Sequence, residues 1–139
     1  MTRFGSCLLV LLFPLIAFGI MGCGSSRQLQ SVALTPALAD AKDFSNGQVS
    51  FTATGTFSKP PSPAQLSSKD VMWCAGSSDG VCVGNAIPGA TVDQNGLAQC
   101  SPNFTGTATI LAGTASSSMG NPDAGTQLKV FGSAQLRCP

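Results

Sequence analysis

Cysteine is the residue type best placed to do covalent chemistry in this 139-residue sequence, which holds six: Cys7, Cys23, Cys74, Cys82, Cys100 and Cys138. Among the last four there is no C-x2-C pair, and the chain has no histidine, so the usual zinc-ligand sets do not assemble. An even set of four in an exported chain reads instead as two disulfides, with three connectivities open. Acid–base chemistry is poorly provided: histidine, glutamate and tyrosine are all absent, and every acidic residue is an aspartate. Asp79 and Asp93 each stand beside a glycine-bearing turn, where a carboxylate accepts hydrogen bonds from nearby backbone. Neither belongs to the dense oxygen cluster that calcium needs. No catalytic residue, metal-ligand set or cofactor motif is read from the sequence.

Cys23 has a different setting. Arg3 is the only charge before Arg27, and between them runs an apolar stretch from Cys7 to Gly22. It is shorter than the ~20 apolar residues of a spanning helix. Pro14 and Gly19 interrupt it, and a basic residue precedes it, which is the anatomy of a secretory signal. Ile20-Met21-Gly22-Cys23 then resembles the lipobox of bacterial lipoproteins: a branched apolar residue three before a cysteine, and a small residue directly before it. Met21 stands where a smaller residue is usual. The resemblance implies cleavage after residue 22 and a diacylglycerol thioether on Cys23. One acyl chain anchors marginally at ~0.8 kcal/mol per buried CH₂, whereas two or three hold firmly. Gly24, rather than Asp, follows the cysteine. By resemblance to sorting in Gram-negative bacteria, this favours the outer membrane.

Composition narrows the partners. Charged residues make up 9% of the chain, against a usual ~25%. Without Arg3, the six aspartates are balanced by the remaining lysines and arginines, so the mature chain is near neutral. Nucleic-acid binding, which needs clustered positive charge, is not expected. The segment from Cys23 to Pro139 has room for one domain that buries about two thirds of its unfolded surface.

The elements that must hold the cysteines are short and alternate with period two. Gly24 to Gln28 reads as a stem. Leu29, Val32 and Leu34 lie in an opening strand that Pro36 ends. Gln48 to Phe57 alternates most cleanly, with Val49, Phe51, Ala53, Gly55 and Phe57 on one face and Gln, Ser and Thr on the other, so one side is buried and one wet. Ser58 to Pro63 cannot continue a ladder, because proline has no N–H to donate, and reads as a loop of polyproline character. Asp70 to Cys74 places Val71 and Trp73 on one face, which makes Trp73 a core residue rather than a sugar platform. Ala90 to Ala98 reads as strand, turn, strand, with Asn95-Gly96 supplying positive φ. Thr107 to Ala115 is a strand. Thr126 to Phe131 is the last, with Leu128 and Val130 on a common face. Only Ala37 to Phe44 and Pro63 to Ser68 suit a helical turn. Asn103-Phe104-Thr105 matches a glycosylation sequon, which in this setting is a chance match. The expectation is an all-β antiparallel sandwich of about seven strands, closed over Phe51, Trp73, Val92, Leu97 and Ile110.

The order SVALTP, GQVSFTATGTF, DVMWCA, ATVDQNGLAQC, GTATILAGTAS, QLKVFGSA resembles the bacterial immunoglobulin-like group 2 domains. Their marks are a Trp in the third strand, an atVd-x-x-Gl turn and a GtatI-a strand. Here these fall at Trp73, at Ala90 to Leu97 and at Gly106 to Ala112. The likeness spans about Leu29 to Phe131; the additional cysteines and the long connection after Trp73 depart from it. It implies an immunoglobulin-like fold in an extracytoplasmic setting, and no reaction.

In such a sandwich Cys74 and Cys82 share one connection, while the strands ending near Cys100 and Cys138 both finish at the opposite end. This favours Cys74–Cys82 and Cys100–Cys138, the latter tying down a tail from Gly132 to Pro139. The domain reading is a signal over 1–22, a lipidated stem over 23–28 and a sandwich over 29–139. The expected role is a non-catalytic, membrane-anchored module of the cell envelope, with a protein or carbohydrate ligand. The alternatives are a small subunit of an envelope complex, or an unrecognised enzyme or metal-binding protein.

Overall fold

The computed structural model describes residues 26–83, 89–115 and 125–139. Cys23 and the segment before it lie outside these. Ten strands are described: β1 (Leu29–Thr35), β2 (Leu38–Asp40), β3 (Gln48–Ser50), β4 (Thr52–Phe57), β5 (Ala64–Gln65), β6 (Met72–Gly76), β7 (Ala90–Val92), β8 (Leu97–Cys100), β9 (Gly106–Ala115) and β10 (Leu128–Cys138).

β3 and β4 are one extended run that changes partner along its length. The first half pairs antiparallel with β8, Val49 opposite Ala98, and the second with β1, Ala53 opposite Leu34. Phe51 N–H donates to Gly96 O at 2.8 Å, and Ala53 O accepts from Leu66 N–H at 2.9 Å. Residues 51 and 53 expose their backbone groups on the same edge, so β8 and β5 follow one another along that edge while β1 holds the other. The first layer is therefore β1, β3–β4, β8, β7. The second runs β2, β10, β9, β6. All pairings are antiparallel except β2 with β10.

Labelling the strands A to G in chain order gives A (β1, continued as β2), B (β3–β4), C (β6), D (β7), E (β8), F (β9) and G (β10). The layers are then A-B-E-D and A-G-F-C, the strand arrangement of an immunoglobulin sandwich. The A strand serves both. It pairs with B up to Thr35, and beyond Pro36 it runs parallel to G, where Gln135 N–H donates to Ala37 O at 2.9 Å. The core between the layers is built from Val49, Phe51 and Ala53 of B, Trp73 of C, Ile110 and Ala112 of F, and Ala134 and Leu136 of G. The alternation read over Gln48 to Phe57 thus maps onto the buried face.

Several sequence expectations are corrected. Leu97 is 38% exposed, whereas its neighbour Ala98 is fully buried; the Asp93–Gly96 turn sets a register one residue away from the expected one, which exchanges the faces. Val92 is only partly buried. The last strand does not stop at Phe131 but continues to Cys138 between β9 and β2, so the supposed tail is the G strand itself. A register shift lies between Leu128 and Val130, and a bulge moves following side chains to the other face. Leu128 accordingly packs outside the second layer and Val130 against the main core. The helical turn expected within Ala37 to Phe44 is present as a 3-10 turn at Ala41–Asp43, preceded by strand β2. Within Pro63 to Ser68, the two residues of β5 pair with B instead of turning helically.

The second layer is buried on both faces around strand C and the start of G, whereas Ser133, Gln135 and Arg137 farther along G are exposed. Trp73 points inward, while Met72 and Cys74 point outward with Leu111, Leu128 and Phe131. Over this outer face folds the segment Ser77–Val83. It is held by Cys82 N–H to Thr126 O at 2.9 Å, Leu128 N–H to Gly80 O at 3.0 Å and Val83 N–H to Ala75 O at 3.1 Å. Gly80 adopts φ +85° and lies flat on the Phe131 ring, where a Cβ would sit 2.3 Å from the nearest ring atom.

Candidate functional site

Cys74, Cys82, Cys100 and Cys138 form two bridges, Cys74–Cys82 and Cys100–Cys138, the pairing that the strand ends favour. The first has a different basis from the one expected. Cys74 lies inside strand C rather than at its end, facing outward, and Cys82 returns over it in the covering segment. The second joins the end of E to the end of G, and hence one layer to the other. Cys74, Cys82 and Cys138 are all buried, which suits structural bonds rather than exchanging thiols.

The chain enters the sandwich through a compact clamp. Arg27 lies over the Phe57 ring, 3.3 Å from its centroid, and donates to Lys59 O at 3.3 Å and to Pro61 O. Gln28 N–H donates to Ser58 Oγ at 3.0 Å, and Ser58 N–H returns to Gln28 O at 2.9 Å. The cation sits on the ring face, where the quadrupole is negative, and the proline loop offers its carbonyls because no ladder uses them. Arg27 and Gln28, read from sequence as stem, therefore belong to the domain. No local signal marks Arg27, because its partners lie about thirty residues away.

The aspartates behave as turn-formers. Asp93 Oδ1 accepts from Asn95 N–H and Leu97 N–H, both at 2.8 Å, and closes the D–E turn. Gly96 alone takes positive φ there, at +81°, and packs against Trp73. Asp79 accepts from the Ser77 hydroxyl, which lowers its pKa. At Asp70 the Ser67 hydroxyl (2.7 Å) and the Ser67 backbone N–H (2.8 Å) donate to Oδ2 and hold the carboxyl below its ordinary range. Among the described residues no group of three or more metal-ligating side chains converges.

Among the described residues, two grooves bear on function. One, of about 470 Å³, lies between the A–B turn and the E–F connection, with Phe44, Pro102, Phe104 and Pro139 as its apolar lining. The other, of about 320 Å³, lies where B changes partner and is lined by uncharged polar groups including Ser50, Thr52, Gln65 and Gln94. Trp73 lies beneath it, 3% exposed, and so presents no platform for stacking a sugar. Neither groove is lined by a pair of carboxylates.

No protein-family model matches this chain, and no curated protein matches it. No helix among the described residues is long and apolar enough to cross a membrane.

Proposed function

We propose that the protein is a non-catalytic envelope lipoprotein: an immunoglobulin-like module held to a membrane, outer membrane favoured, by lipid on Cys23, with a binding, adhesive or structural role. The observation that carries this reading is the distance in sequence between the lipobox-like Ile20–Cys23 and the Arg27 contact with the domain. Only Gly24, Ser25 and Ser26 separate Cys23 from the Arg27 clamp. A signal, a lipid-accepting cysteine and a disulfide-bonded domain follow each other without a spacer. Two disulfides suit an oxidising compartment, and a near-neutral surface suits a module without nucleic-acid partners.

The test is direct. In a bacterial host supplied with labelled fatty acid, the wild-type chain takes up label and sediments with membranes. Cys23→Ala takes up none and is released to the soluble fraction. If Cys23→Ala remains membrane-bound, the anchor assignment is wrong.

A further inference from the structure

We propose that the short tether makes this domain stand on the bilayer on its B–C end, with Arg27 and the loop from Ser58 to Ser62 against the lipid headgroups, and the end bearing Lys42 pointing away. This rests on the proposed lipidation of Cys23 and adds to it a fixed orientation.

The argument is geometric. β1 begins at Leu29 opposite Phe57, so the chain enters at the end where strand B finishes and the proline loop starts. Arg27 is pinned to that loop by its contact with Phe57 and its bonds to the Lys59 and Pro61 carbonyls. From Cys23 to Arg27 a fully extended chain reaches about 14 Å. The headgroup region of one leaflet takes up roughly 6 Å of that. What remains, about 8 Å, keeps Arg27 next to the headgroups and is too little for the domain to invert.

Strand direction then places everything else. β2 continues β1 and runs parallel to G, whose eleven residues span about 35 Å. The A–B turn with Lys42, the Cys100–Cys138 bridge and the groove lined by Phe44 and Phe104 lie at the far end of that length. Lys59 and Lys69 sit in the B–C connection, near the bilayer. The B–C end carries Arg27, Lys59, Lys69 and, at the start of G, the exposed Lys129 against Asp70, so attraction to anionic headgroups acts in the same direction as the tether. A soluble partner meets the A–B and E–F end first.

Lysine reactivity reads the orientation. The lipidated protein, reconstituted in phosphatidylethanolamine–phosphatidylglycerol vesicles, and the unlipidated Cys23→Ser protein are treated with a membrane-impermeant amine acetylating reagent. Rates at each lysine are then followed by mass spectrometry. Expected is a several-fold slower reaction at Lys59 and Lys69 in vesicles, with Lys42 unchanged. A lipidated variant carrying twelve Gly-Ser residues between Ser26 and Arg27 recovers the unlipidated rates. If the protein co-floats with vesicles but Lys59 and Lys69 react at the unlipidated rate, the orientation is overturned while the anchor stands. Protection of Lys42 instead also overturns it, and protection persisting in the long-stem variant overturns the tether as its cause. Failure to co-float overturns the anchor, and the orientation with it.

Discussion

Cys100, at the end of strand E in one layer, is bonded to Cys138, at the end of strand G in the other, with their Cα atoms 5.8 Å apart. Antibody domains join their layers through strands B and F. Here those strands present Phe51, Ala53, Ile110 and Ala112 to one another, and the bridge has moved to the rim. The core is left wholly apolar, and the covalent tie sits at the end of the fold where strands E and G finish.

The two bridges should differ in worth. Chain entropy gives about 4 kcal/mol for the longer Cys100–Cys138 loop and about 2.5 kcal/mol for Cys74–Cys82. Urea unfolding of Cys100→Ser/Cys138→Ser should therefore show the larger loss, and Cys74→Ser/Cys82→Ser the smaller. The reverse order would mean that the covering segment, not the rim, governs global stability.

Gly80 should tolerate no side chain. Alanine at φ +85° carries a backbone cost and a Cβ driven into the Phe131 ring, together about 2 kcal/mol or more. Gly125→Ala, at φ +90° with nothing within 4 Å, should lose only about 1 kcal/mol. In a double-mutant cycle Phe131→Leu should relieve part of the Gly80→Ala loss. Additive losses would show that the ring contact is not the cause.

Trp73 is the only tryptophan, and the chain has no tyrosine, so ultraviolet-excited emission reports on this side chain. At 3% exposure it should resist a collisional quencher in the native state and become quenchable on unfolding. Trp73→Ala should cost about 3–5 kcal/mol. Ready quenching in the native state would contradict its place beneath the groove.

Asp70 should give stability a pH dependence. Its folded pKa is lowered from 3.8, first by the Ser67 hydroxyl and then by the Ser67 backbone N–H. A depressed carboxyl contributes stability above its unfolded value, and that contribution is lost as pH falls through the folded one. Denaturant midpoints should fall as pH is lowered below the ordinary carboxylate range. In Asp70→Asn this fall should be shallower. Ser67→Ala should move the Asp70 titration, followed by NMR, back toward its ordinary value.

Much of the architecture is legible in the residues. The alternation from Val49 to Phe57 is local, because a strand sends every second side chain to the core whatever its partners. Trp73 as core, Asp93 as turn-former and Gly96 with positive φ follow from residue type and immediate neighbours in the same way. The absence of histidine and glutamate, and the motif around Cys23, belong wholly to the sequence. What the sequence leaves open is non-local. Strand B trades one partner for another at Phe51, strand A crosses between layers beyond Pro36, and a bulge after Leu128 exchanges faces in strand G. None of these leaves a mark in a window of ten residues, because each depends on which strand lies alongside. The tertiary structure also decides that Cys74 faces out of its strand to meet Cys82, and that Arg27 joins the domain by lying on Phe57. Composition and spacing thus fix what kinds of element exist and which residues can bond. Long-range pairing, whose loop-closure cost is met only when the whole sandwich closes, decides which of them meet.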